Sequence, residues 1–365
     1  NWFGITMPNI YGFSGILLVL SLQLYPLIFL YVSGALKNVD NSLLEASENL
    51  GASGFKRFMI IIIPLILPTL YAGGLLVFMR AFADFGTPML IGEGFRTFPV
   101  TIFNEYISEM GGDDGFAAAI SIIAILITTS IFLFQRWLAN RKSFKMNSIN
   151  KIRPVPLKGI GNVLIHLYTY VLVGVSIMPQ VYIYYTSFKN TNGTVFADGY
   201  SFDSYLNAFD KLGKTITNTM MIPGISLVLI ILLAVLIAYV SVRRNNMFTR
   251  ILDTVSMVPY ILPGSVVGIT LLIAFNKPPI LLSGTMIIMI IALVIRRLPY
   301  TIRSSAAILS QIPMNIEEAS LSLGASKFKT FVRITIPMMA AGIISGAILS
   351  WITMISELST AILLY

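Results

Sequence analysis

Eight stretches of mostly apolar residues, near 11–35, 60–83, 116–137, 160–187, 217–240, 254–275, 284–308 and 333–356, dominate this chain of 365 residues. About twenty such residues, rising about 1.5 Å each as a helix, cross the roughly 30 Å of a bilayer's hydrocarbon. Lipid offers the backbone no hydrogen-bond partners, so a chain built from such runs has to cross as helices. The sequence therefore predicts an all-α integral membrane protein of about eight spans. Charged residues make up 11% of the chain and hydrophobic ones 56%, against about 25% charged in a soluble domain.

The loops set the sidedness. Between Gln135 and Gly159 stand Arg136, Arg141, Lys142, Lys145, Lys151, Arg153 and Lys158 without one acidic residue, which places that segment in the cytoplasm. The loop 84–115 has Arg96 as its only basic residue, as an external loop should. Alternation then puts 36–59, 241–253 and 309–332 inside, and 188–216 and 276–283 outside. The net charge of +9 follows from these inside loops and does not call for a nucleic-acid partner. There is no cysteine and one histidine, His166, so disulfides, thiol catalysis and any histidine-rich metal centre are excluded. No cofactor is expected. Gly213-Lys214-Thr215 imitates the end of a phosphate-binding loop, but the earlier glycine position holds Ala208, so ATP binding is not expected there.

The most specific signal is an internal repeat. Residues 45–64, EASENLGASGFKRFMIIIIP, and 318–337, EASLSLGASKFKTFVRITIP, are identical at thirteen of twenty positions with a constant offset of 273. Both copies fall in inside loops and lead into an outward-going span, so the halves are a parallel repeat. Each copy reads as a helix, a glycine turn and a second helix. Ser42 with Glu45, and Asn315 with Glu318, are placed to form capping boxes. Gly51 and Gly324 suit a left-handed helix end, and Ser53 and Ser326 can cap the next helix. Small residues at Ala46, Ser47, Ala319 and Ser320 leave room for another protein surface, and Pro64 and Pro337 follow one turn into the spans.

These residues resemble the EAA loop of ABC importer permeases: Glu-Ala-Ala, three residues, Gly, nine residues, Ile-x-Leu-Pro. Glu45, Ala46, Gly51, Ile61 and Pro64 fit the first copy, and Glu318, Ala319, Gly324, Ile334 and Pro337 the second, with Ser47, Ser320, Ile63 and Ile336 as conservative departures. The flanking runs ADFGTPMLIG and SELSTAILLY are similar to fused two-half ferric-iron permeases. The resemblance implies a type I ABC importer transmembrane fold, multi-pass in a bacterial cytoplasmic (inner) membrane, moving solute by alternating access. It implies two separate ABC ATPase subunits coupled through Glu45, Ala46, Gly51, Glu318, Ala319 and Gly324, and an extracytoplasmic substrate-binding protein delivering cargo. Membrane lipid is the remaining partner. Ferric iron is the cargo the likeness favours, with thiamine, aminoethylphosphonate and polyamine permeases as alternatives. On this reading residues 1–138 are the end of a first half, 139–159 a cytoplasmic linker, and 160–365 a second half without its last span; both chain ends look like cuts.

The same offset pairs Asp84 with Glu357, each twenty residues beyond its repeat's proline and so about 30 Å further along a helix. Carboxylates at such depth are costly and often line a pathway, so both are candidates for a gate near the outer face, the other reading being that each anchors a loop. Arg296, Arg297 and Arg303 are expected to snorkel at the inner face. A secondary transporter would need ionisable relays at mid-span, and none is evident.

Overall fold

The computed structural model describes residues 9–37, 39–52, 54–107, 114–141, 159–193, 195–244 and 246–364. The expected linker 139–159 and the cap at Ser53 fall wholly or largely outside these residues. Helices follow in the order α1 (Phe13–Lys37), α2 (Asn41–Asn49), α3 (Gly54–Arg57), α4 (Ile63–Phe82), α5 (Gly86–Ile91), α6 (Phe98–Ile107), α7 (Asp114–Arg141) and α8 (Ile160–Ser187). After a hairpin of β1 (Lys189–Asn192) and β2 (Val195–Tyr200) come α9 (Asp203–Arg243), α10 (Met247–Ile261), α11 (Gly264–Phe275) and α12 (Met286–Leu309). The chain closes with α13 (Met314–Ser322), α14 (Lys327–Thr330), α15 (Ile336–Ile355) and α16 (Ala361–Leu364).

All eight expected runs are helical. Among the described residues, six helical stretches are long and apolar enough to cross a membrane, or seven if α10 and α11 count as one broken span. The expected run 254–275 is bent by 108° between those two helices. Pro263 lacks an amide proton and biases Leu262 away from helix, and Leu262 is extended at φ −78°, ψ 136°. At 15 and 12 residues, neither piece alone covers the hydrocarbon. Helix α12 has the length but carries Arg296, Arg297 and Arg303. The hairpin, antiparallel and turning at Gly193 (φ +64°), is the one departure from an all-helical fold among the described residues. Helix α9, with 41 residues, extends about 60 Å and takes in the expected span at 217–240 as well as the Gly213-Lys214-Thr215 segment, which is thus helical and no phosphate loop.

The chain forms two compact units, residues 1–81 with 130–214 and residues 82–129 with 215–365. In the first, Ala35, Val39 and Ile66 form a small core, while no residue of α8 is buried, a state an apolar helix tolerates only in hydrocarbon or under another protein. His166 bonds the Asn162 carbonyl one turn back, at 2.8 Å. In the second unit α11 is the centre, with Val266, Ile269 and Leu272 against Ile102, Ala124, Ile288 and Leu364. Lipid supplies no hydrophobic drive between helices, so close backbone approach has to hold them. Gly342 and Gly346 of α15 provide it: a Cβ on either would lie 2.7 Å from the Ser304 carbonyl oxygen or the Thr301 Cα of α12. Hydroxyl pairs seal the same seam, Thr301 with Ser350 at 3.0 Å and Ser304 with Ser345 at 2.6 Å.

Candidate functional site

The two loop copies fold alike, element for element, at the 273-residue offset. Helices α2, α3 and α4 recur as α13, α14 and α15 with the same lengths, and a π-helical turn, Phe58–Ile62 or Phe331–Thr335, sits before each span. In each first helix the end is closed by the same bonds. Gly51 and Ala52 donate to Glu48 and Ser47 at 2.9 Å, and Gly324 and Ala325 donate to Leu321 and Ser320 at 2.9 and 3.1 Å. This is a Schellman closure, whose penultimate residue adopts left-handed backbone; Gly51 has φ +81° and Gly324 φ +85°, as expected. Ser326 accepts from Lys329 N at 3.3 Å, confirming one of the predicted caps.

The capping boxes are corrected. Asp40, not Ser42, caps α2 by accepting from Ser42 N at 2.9 Å, and Glu45 accepts from Asn41 Nδ2. Pro313 precedes α13 with no side-chain cap, so Asn315 and Glu318 lie inside that helix. The prolines also act differently from a simple kink. Pro64 and Pro337 cannot donate to the carbonyls of Ile60 and Arg333, and the preceding amides, Ile63 and Ile336, reach back five residues to Phe58 and Phe331. The wide turn accommodates the missing proton, a device that recurs at functional positions.

Both copies present the same surface. Glu45, Ala46 and Gly51, and Glu318, Ala319 and Gly324, are exposed, while Ser47 and Ser320 are buried. Sequence reasoning missed the most exposed large apolar side chains of the module, Leu50 at 88% and its equivalent Leu323 at 89%. Phe55 and Phe328 follow at 73% and 76%. Their signal was present as identities within the repeat. Matched bare leucines and phenylalanines give each module an exposed apolar patch of the kind that marks an interaction surface.

Asp84 and Glu357 occupy equivalent turns, just beyond α4 and α15, and cap the next residues in the same way. Asp84 Oδ2 accepts from Thr87 N at 3.0 Å and Glu357 Oε1 from Thr360 N at 3.1 Å. Their wider surroundings differ. The Glu357 side chain is only 4% exposed, lies 2.5 Å from Arg296 Nη1 and also pairs with Arg297. Ser359 and Thr360 hydroxyls donate to it at 2.7 and 3.0 Å. Burial pushes this carboxyl up, and the two guanidiniums and these donors outweigh it, holding it at about 2. Arg296 and Arg297 therefore do not snorkel; Arg296 is 9% exposed, and only Arg303 is substantially open, 3.5 Å from Asp253. The cluster also packs on the α10–α11 break: Thr360 Oγ1 lies 3.2 Å from the Gly264 carbonyl oxygen, and a Cβ at Gly264 would meet Ser359 Oγ at 2.1 Å. At the same offset Pro26 matches Pro299, and the positions of Arg296 and Arg297 are held by Gln23 and Leu24.

Residues 2–144 and 230–365 match the family described as binding-protein-dependent transport system inner membrane component. The ferric transport system permease protein FbpB 1 of Haemophilus influenzae is 30% identical over 371 residues, covering 99% of this chain and 58% of that protein. The corresponding FbpB of Actinobacillus pleuropneumoniae is 29% identical over 378 residues, covering 100% and 54%. The molybdenum transport system permease ModB of Escherichia coli is 33% identical over 144 residues, 38% of this chain and 61% of its own. The chain thus spans a little over half the length of these two FbpB relatives. With the duplicated loop, the membrane helices and matches in both halves, the chain belongs to the family of binding-protein-dependent transport system inner membrane components.

Proposed function

We propose that this chain is the permease part of an ATP-driven importer, in which two ABC ATPase subunits dock on the two exposed loop modules and an extracytoplasmic binding protein delivers the cargo. The supporting observation is the duplication itself: two surfaces of one design, each continuous with an outward-going span. Glu45, Ala46 and Gly51, and Glu318, Ala319 and Gly324, form the docking faces, with Leu50, Phe55, Leu323 and Phe328 as apolar anchors. Residues 1–138 form the C-terminal part of a first half and 160–365 a second half without its last span, joined by a cytoplasmic linker at 139–159. Asp84 and Glu357 set the turns of a gate along the pathway. Glu357 is committed to Arg296 and Arg297, so its part there is to hold the turn.

The cargo is ferric iron, a proposal carried by the likeness to the ferric transport permeases FbpB 1 and FbpB. The test is reconstitution of the complex with its ATPase and an iron-loaded binding protein. ATP hydrolysis and iron uptake should both rise when loaded binding protein is added. Hydrolysis stimulated by another solute, with iron inert, would overturn the cargo and leave the importer reading standing. An ion gradient driving uptake without any ATPase would overturn the importer reading.

A further inference from the structure

We propose that the second loop module is clamped to α9 by a buried ion pair, which makes it a stiff lever between a docked ATPase and that helix, whereas the first module carries Leu44 at the position of the clamp's glutamate. The proposal rests on the docking reading above. Glu317, one residue before the predicted docking glutamate, is 4% exposed. Its Oε1 accepts from Arg243 Nε at 2.9 Å and its Oε2 from the Tyr239 hydroxyl at 3.1 Å. Arg243 Nη1 also donates to the Ile312 carbonyl at 3.0 Å, on the residue before the Pro313 that opens α13. The Tyr239 ring meets Phe331 edge-on, with centroids 4.8 Å apart. The last turns of α9 therefore hold the module at its entrance (Ile312), in its first helix (Glu317) and at its exit into the π turn (Phe331).

Directional bonds to a buried charge tolerate little sliding, because a displaced carboxylate would lose its partners without gaining water. At the 273 offset the equivalents of Ile312, Glu317 and Phe331 are Val39, Leu44 and Phe58. Val39 and Leu44 are buried, at 0% and 9% exposure. A leucine cannot accept an ion pair, and apolar contact is non-directional. Within the first module the exposed pair Glu48–Arg57 joins α2 to α3 at 2.9 Å.

Glu317→Gln, Arg243→Gln, the double variant and the reversed pair Glu317→Arg with Arg243→Glu would be assembled with the ATPase, alongside Leu44→Ala. Single cysteines at Asn49 or Ser322, both exposed, would report ATPase docking at each module by cross-linking; the chain has no native cysteine. The clamp predicts that both cross-links persist in the single variants while solute moved per ATP falls about tenfold, within the usual range of site–site coupling. The double variant should be no worse than the singles, the reversed pair should recover part of the loss, and Leu44→Ala should change the ratio little. Wild-type transport per ATP in both single variants, or an equal loss in Leu44→Ala, would overturn the clamp. Absence of both cross-links in the unaltered complex would instead overturn the docking reading. Should the single variants fail to assemble, Tyr239→Phe keeps the ring and removes only its bond to Glu317; unchanged transport per ATP there would also overturn the clamp.

Discussion

Replacing Glu357 by Gln tests whether equivalent positions in the two halves carry equivalent loads. The amide oxygen can still accept from Thr360 N and the Ser359 hydroxyl, so the turn itself should persist. What disappears is the negative charge between Arg296 and Arg297, whose side chains are 10% and 12% exposed. Removing one partner of a buried ion pair typically costs about 3–5 kcal/mol, because the remaining charge is left unpaired. Asp84→Asn at the equivalent turn loses only part of a backbone cap, worth about 0.5–2 kcal/mol when removed outright and less when an amide remains. Thermal unfolding of the purified chain in detergent, followed by loss of the monodisperse peak, should show a drop for Glu357→Gln several times that for Asp84→Asn. Adding Arg297→Gln to Glu357→Gln should recover part of it. The Glu357 carboxyl is lowered from 4.5 to about 2, so its contribution is present above 4.5 and is lost as pH falls through 2. Glu357→Gln should thus differ most from the parent above pH 4.5 and converge with it in stronger acid. Equal losses at both sites, or a loss for Glu357→Gln below about 1 kcal/mol, would refute the reasoning.

Other expectations follow from the same geometry. Gly51→Val and Gly324→Val, at φ +81° and +85°, should each cost about 1–2 kcal/mol and lower ATPase co-purification while leaving membrane insertion intact. Leu323→Asp should weaken ATPase binding by at least about 2 kcal/mol if it is a central anchor, as measured by the ATPase concentration needed for half-maximal assembly; no change would remove it from the interface. Gly346→Leu should prevent stable folding, read as aggregation on extraction, because even a Cβ there lies 2.7 Å from Thr301 Cα. A cysteine at Asp198 should react with an impermeant thiol reagent on intact cells and one at Asn49 should not; the reverse pattern would invert the sidedness.

Helix existence and the loop module were legible because each rests on local rules: apolar run length, the glycine-closed helix end, the repeated spacing. The break at Pro263 was legible too, in Leu262-Pro263-Gly264, but a hydropathy reading averages over it. The fates of Arg296 and Glu357 were not. They lie 61 positions apart, and nothing local says that a turn after α15 folds onto α12. The snorkelling expectation treated the arginines as solitary charges seeking water, whereas an internal carboxylate satisfies them. Leu50 and Leu323 escaped notice for the opposite reason, since a leucine in an amphipathic module is ordinarily assumed to face inward. Capping failed at Ser42 because Asp40, two residues earlier, is the better acceptor and starts the helix sooner.

The wide turn ahead of each span has a consequence for phase. A π turn takes in one residue more than an α-helix would, and one residue is about 100° of rotation. The face that α3 shows to a docked protein and the face that α4 lays against its neighbours are therefore not one continuous stripe, and the same holds for α14 and α15. Losing a single residue from Phe58–Ile62 would restore a plain α turn and leave the two ends facing nearly as they do now, whereas losing one from the regular helix on either side would turn them against each other by about that angle. The wide turn is thus the place where the length between the proposed docking surface and the membrane seam can change by one residue with both contacts kept.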